Sequence, residues 1–144
     1  MTPCPWTIAE VLPHAPPMVL LDEVIAFDAE AVLAAVTIGS DHPFATAEGV
    51  PVHVGIELMA QACGAYAGVR ALADGEPVRL GYLLGTRSFH AVRDWLRPGE
   101  RLEVSATVVF RDDGMGVFDC RIIAADGGVV AEARLNLFQP KGEP

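Results

Sequence analysis

One stretch of this chain limits its fold more than any other. From Val52 to about Ala73 the only strongly polar side chains before Arg70 are His53, Glu57 and Gln61, so the segment reads as a helix that is apolar nearly all round. Such a helix has to be covered by the rest of the chain. Gly55, Gly64 and Gly68 together with Glu57 and Gln61 interrupt it too heavily for a membrane span. Gly75 and Pro77 in "ADGEP" supply its stop.

The remaining segments supply the cover. Thr7 to Leu12 is a short helical turn stopped by Pro13, after which Pro16 and Pro17 hold the chain extended. Val19 to Ile38 reads as a hairpin with its turn at Asp28 to Glu30, and Ser40 to Pro51 as a loop. Past the helix the period changes to two. In "RLEVSATVVF" the residues Leu102, Val104, Ala106, Val108 and Phe110 fall on one face. "VFDCRI" and "AEARLNL" repeat the alternation, with turns at "RDDGMG" and "ADGG", which predicts an antiparallel meander; "VRLGYLLGTRSFHAV" adds at least one more strand. One helix and a single set of antiparallel strands leave an α+β hot-dog arrangement, a bent antiparallel sheet wrapped around one long central helix. At 144 residues the whole chain, 1–144, is expected to be one such domain. The open sheet edge predicts pairing of subunits edge to edge.

Composition excludes several function classes. A formal charge of −9 speaks against nucleic acid and anionic membrane as partners. No basic segment followed by an apolar one opens the chain, so a secretory signal is not expected and a cytoplasmic location is. Cys4, Cys63 and Cys120 lack C-x-x-C spacing and read as reduced thiols, two of them in the core. The histidines His14, His42, His53 and His90 form no ligand pair, so no metal and no cofactor are expected. There is no G-x-S-x-G elbow and no glycine-rich phosphate loop.

Chemistry therefore centres on Glu57. A carboxylate on an apolar helix finds partners, reaches a cleft or takes up a proton. The plainer alternative is a capping or pairing role at the helix start, favoured by the dipole. Gln61, four residues on, shares its face with Gly64 and Gly68, small residues that let a strand or a thin ligand pass. His53 is also four residues away and within reach of a hydrogen bond. His42, in "DHPFA", sits on the loop before the helix, whereas His14 reads as structural and Cys63 as an inert buried thiol.

"LPHAPPMVLLDEV" and "GIELMAQACG" together resemble the β-hydroxyacyl-acyl carrier protein dehydratases of the FabZ/FabA type, and more closely the dehydratase-like proteins of aryl-polyene gene clusters. The likeness runs in order along the whole chain. It implies a hot-dog dimer acting, in fatty-acid or polyene biosynthesis, on an acyl thioester held by acyl carrier protein. Glu57 matches the helix carboxylate that assists departure of the C3 hydroxyl, and Gly55 and Ile56 would lie beside the thioester with Gln61 and Gly64 along the substrate. The family's H-F-P-G, whose His takes the C2 proton, stands where this chain has Pro43, with His42 one residue earlier. Either His42 is the base in a homodimer, or a related dehydratase supplies the His in a heterodimer. Arg87, Arg93, Arg97 and Arg101, around Trp95, would form a docking patch for acidic carrier protein, where the plainer reading is scattered solvated arginines. A hot-dog thioesterase and a noncatalytic acyl-binding or stabilising subunit are the alternatives from other classes.

Overall fold

The computed structural model describes residues 1–14 and 17–140. The expected extended conformation at Pro16 lies outside the described residues. The lead-in contains strand β1 (Thr2–Pro3) and helix α1 (Ile8–Val11). α1 is a single turn closed by a capping box, the Glu10 N–H donating to Thr7 Oγ1 and the Thr7 N–H to Glu10 Oε1. Its last residue, Val11, and the Leu12 that follows are buried.

Strands β2 (Glu23–Phe27) and β3 (Ala31–Thr37) form the expected hairpin. Asp28 sets the turn by accepting from the Glu30 and Ala31 amides at 2.9 and 2.8 Å. The loop that follows ends in β4 (Val50–Pro51), and a 3-10 turn (Val52–Val54) leads into α2 (Gly55–Ala73). Beyond it come β5 (Tyr82–Ala91), β6 (Trp95–Leu96), β7 (Arg101–Asp112), β8 (Met115–Ile123) and β9 (Val129–Phe138). The main sheet runs β1-β2-β3-β7-β8-β9-β5, antiparallel throughout, and β4 pairs with β6 apart from it.

This is the hot-dog fold, with α2 packed on the concave face of the sheet. Val32, Ala34, Val104, Ala106, Cys120, Ile122, Ala133 and Leu135 point inward and meet Leu58, Met59, Ala62 and Val69 of α2 in one core. Each large apolar side chain buried there contributes about 1.5 to 3 kcal/mol. The β7–β8 turn is the two-residue Asp113-Gly114 connection, with φ of 48° and 85°, whose left-handed backbone matches the twist of the strands.

The alternation expected through Phe110 fails at its end. A bulge between Val108 and Phe110 shifts the register, so Val108 is half-buried and Phe110 points outward, 55% exposed. One extra residue re-aims every side chain after it. Nor is α2 covered all round: Glu57 is exposed, as is His53 in the turn before it, and Ala60, Gly64 and Ala67 are half-buried, a stripe that this chain's own sheet leaves open.

Cys63 of α2 and Cys120 of β8 are buried with their sulfurs 3.4 Å apart, and burial pushes the Cys63 thiol well above its ordinary value. Cys4 is only half-buried. Thiol alkylation of the folded protein is therefore expected to label Cys4 first and to reach the other two only after unfolding. Fast native labelling at Cys63 would contradict this packing.

Candidate active site

Glu57 stands in the first turn of α2, where the helix dipole favours a carboxylate. It neither caps nor pairs: no side chain caps the start of α2, and Glu57 has no hydrogen bond or ion pair among the described residues. His53 does not bond it. The residue is exposed, so the helix carries a carboxylate here without the penalty of burying it. It opens onto a crevice of about 90 Å³ floored by Ala60 and Gly64 and walled by Leu83 of β5, Leu137 of β9 and Arg79 of the connector. Gly64, Gly81 and Leu137 also line a cavity of about 360 Å³ that continues along α2 past Tyr66 and Phe118 to Met115 and Phe138. The site is thus an acidic mouth leading into a mainly apolar chamber. At its far end the Tyr66 hydroxyl donates to the Ala29 carbonyl at 2.6 Å and accepts from Arg111 at 3.3 Å.

The two small residues expected to share a face divide between two tasks. Gly64 faces the crevice, whereas Gly68 lies against the Val11 carbonyl, where a Cβ would collide with backbone. Gln61 borders the crevice, but its amide is spent on the lead-in. Its Oε1 accepts from Leu20 N at 2.9 Å and Leu21 N at 3.4 Å, and its Nε2 donates to the Met18 carbonyl at 2.5 Å. Gln61 is 4% exposed, the one buried polar residue of the core among the described residues. Gly55 packs on Ile122, where a Cβ would come within 2.7 Å of its Cδ1, and Ile56 is half-buried beside it.

His42 lies elsewhere in the protomer. It borders a separate depression of about 220 Å³ with Asp22, Thr37 and Asp41. Its Nδ1 accepts from the Phe44 N–H at 3.1 Å, while Nε2 is buried without a partner among the described residues. Burial pushes the imidazole below its ordinary value, against the pull of Asp41 and Asp22, which leaves it neutral at pH 7. The imidazole that does reach the Glu57 crevice is that of His14, read from sequence as structural. The L-P-H lead-in motif was the one signal for it.

The four arginines fall into different settings. Arg93 is held by Glu100 through two bonds of 2.9 and 2.6 Å. Burial pushes the Glu100 carboxyl up, but the Arg93 bonds and the Arg97 amide outweigh it and hold it below its ordinary value. Arg101 pairs with Glu23 at 2.7 Å, Arg97 remains exposed beside the Arg93–Glu100 pair, and Arg87 lies on β5 in a groove with Arg121 and Arg134. Arg134 is in turn bound to Asp119 at 2.8 Å. Among the described residues no cluster of His, Cys, Asp and Glu is arranged to hold a metal, and no helix is long and apolar enough to cross a membrane.

Comparison with known proteins gives this geometry a class. The chain is 33% identical over 132 residues to the 3-hydroxyacyl-[acyl-carrier-protein] dehydratase FabZ of Anaeromyxobacter dehalogenans strain 2CP-C, covering 88% of this chain and 83% of that protein. It is 34% identical over 134 residues, with the same coverage, to FabZ of Anaeromyxobacter sp. strain Fw109-5. A structure described as the dehydratase heterocomplex ApeI:P from Xenorhabdus doucetiae superposes with a TM-score of 0.89 at 32% identity, covering 94% of this chain and 92% of that one. The PaaI protein of E. coli, from the phenylacetic acid degradation operon, shares the fold alone, with a TM-score of 0.65 at 15% identity over 83% and 80% of the two chains. Together with the helix carboxylate, these likenesses define a FabZ-like hot-dog dehydratase. Within that class, residues 6–144 match the ApeP-like family, described as ApeP dehydratase, and the chain belongs to it.

Proposed function

We propose that this chain supplies the carboxylate half of a site that dehydrates a 3-hydroxyacyl thioester on acyl carrier protein, in a two-subunit assembly with a related dehydratase in the cytoplasm. The observation that carries the reading is the place of Glu57: unpartnered among the described residues, in the first turn of an uncapped helix, at the mouth of a chamber suited to an acyl chain, while His42 of the same protomer borders a different depression. In the reaction a neutral imidazole of the second subunit takes the C2 proton as the C2–C3 double bond forms. Glu57 acts as the general acid, passing a proton to the C3 hydroxyl, which leaves as water. In this reading the first turn of α2, with Gly55 and Ile56, lies beside the thioester carbonyl, where the dipole favours developing negative charge, although the Gly55 amide is itself bonded to the Val52 and His53 carbonyls.

The sheet edge supports pairing. Among the described residues β5 pairs with β9 alone, and Tyr82 and Leu84 on it are 52% and 57% exposed, as is Val92 beyond it at 78%. A second copy of this chain would instead bring its own His42, but with Nδ1 accepting from the Phe44 N–H the neutral ring carries its hydrogen on Nε2, which disfavours that nitrogen as the base. The whole chain, 1–144, acts as one unit in either reading. Arg87 and Arg97 are the arginines of the expected patch whose side chains stay available to acidic carrier protein, since Arg93 and Arg101 are bound to carboxylates of this chain.

The chain is assayed alone and mixed with a related dehydratase subunit, following the enoyl thioester and free thiol separately. Enoyl product from the mixture, with little from the chain alone, is expected. Full turnover by the chain alone would favour the homodimer, and release of free thiol without enoyl product would replace dehydration by hydrolysis. Salt is expected to raise KM for carrier-bound substrate but not for the same acyl group on a small thiol; equal sensitivity would remove the arginines from docking.

A further inference from the structure

We infer that His14 is the proton-relay residue of Glu57, returning to that carboxylate the proton it spends in each turnover; the inference rests on the dehydratase reading above. Three observations converge on it. His14 and Glu57 line the same crevice, and at about 90 Å³ that crevice has room for only a few atoms between its walls. The Nδ1 of His14 is buried without a hydrogen-bond partner among the described residues. A buried imidazole nitrogen left unpaired is costly in a structural residue and natural in one that meets a ligand or a transient water.

The third observation is the anchoring. On its N-terminal side the capped turn of α1 and the buried Val11 and Leu12 lead directly to Pro13 and His14. On the other side Gln61 ties the backbone of Met18, Leu20 and Leu21 to α2, one turn from Glu57. The described residues on either side of the imidazole are thus held to the helix that bears the carboxylate, Val11 against Gly68 and Met18, Leu20 and Leu21 by Gln61, the support a functional side chain needs. His42 has no such relation to Glu57.

The chemistry balances without a further reactant. Glu57 gives its proton to the C3 hydroxyl and is left as a carboxylate, while the C2 proton is held on the neighbouring subunit's imidazole. The His14 imidazolium then donates to the Glu57 carboxylate and is itself reprotonated from water, and the other imidazole releases its proton to water. One molecule of water has left the substrate and both groups of this chain are restored. The charged groups facing His14 across the crevice are Glu57 from α2 and Arg79 from the connector.

The test uses whichever assembly turns over, with His14→Gln, which keeps a polar side chain of similar reach but carries no proton, and His14→Ala. Both are expected to lower kcat about a hundredfold with KM changed less than about twofold. Added imidazole is expected to restore much of the His14→Ala rate. Unchanged kcat in both variants overturns the relay, as does a loss that imidazole does not rescue. Glu57→Gln, run beside them, separates the two claims. If it abolishes turnover while the His14 variants keep theirs, the function stands and the relay falls; if it too keeps turnover, the function falls as well.

Discussion

Replacing Glu57 by Gln is expected to lower kcat for dehydration by about a thousandfold, the scale of a lost general acid, with the melting temperature within about 2 °C of the parent. The two halves of that expectation have separate causes. Stability is spared because Glu57 is exposed and bonds nothing among the described residues, so the amide inherits no broken contact. Turnover is lost because Gln has the shape of the acid without its proton, and the C3 hydroxyl would have to leave as hydroxide. The KM of carrier-bound substrate should hardly move, since the acyl chain is held by the chamber beyond Gly64 and not by the carboxylate. Circular dichroism melting and enoyl-thioester absorbance read the two quantities on one preparation. A large fall in melting temperature would mean that Glu57 has a structural partner, and unchanged turnover that the acid lies elsewhere.

Gln61→Leu is expected to do the reverse, striking stability first. Leucine fills nearly the same volume but leaves the Leu20 and Leu21 amides and the Met18 carbonyl without their partner. At about 1 to 3 kcal/mol for each buried group stranded, the loss is about 3 kcal/mol once relaxation and water are allowed for, or about 10 °C in melting temperature. Activity should fall too, by less than in Glu57→Gln, because the segment that carries His14 into the crevice loses its tie to α2. Thermal unfolding followed by circular dichroism measures the effect. A melting temperature within about 2 °C of the parent would show that the lead-in is held by its apolar contacts alone.

Much of the architecture is written in local pattern. The buried helix, the two-residue period of β7 to β9, the Asp113-Gly114 turn and the hairpin around Asp28 each follow from residues adjacent in sequence, and each stands in the structure. What pattern leaves out depends on distant contacts. The bulge that turns Phe110 outward leaves no mark in an alternating run, and the pairing of β5 with β9 follows from how the sheet closes around α2. The site divides in the same way. Glu57 is conspicuous because a lone carboxylate on an apolar helix needs an explanation, and the family motif around it is local. His14 is not conspicuous, since what brings it to Glu57 is the folding of the lead-in over α2 by way of Gln61 and Gly68. Gln61 itself has the residue type and position of a substrate contact, and only the Met18, Leu20 and Leu21 backbone reveals its other work. The arginines gather in sequence but disperse in space, because β5 and β7 lie on opposite sides of the β8–β9 pair.

The central claim is that Glu57 is the acid of a site completed by a second subunit. It is tested most directly by pairing this chain with a related dehydratase subunit whose own helix carboxylate has been replaced, and measuring enoyl-thioester formation from a 3-hydroxyacyl carrier protein. Turnover that persists in that pair and disappears when Glu57→Gln is introduced is the predicted result. Turnover indifferent to Glu57→Gln would contradict the account.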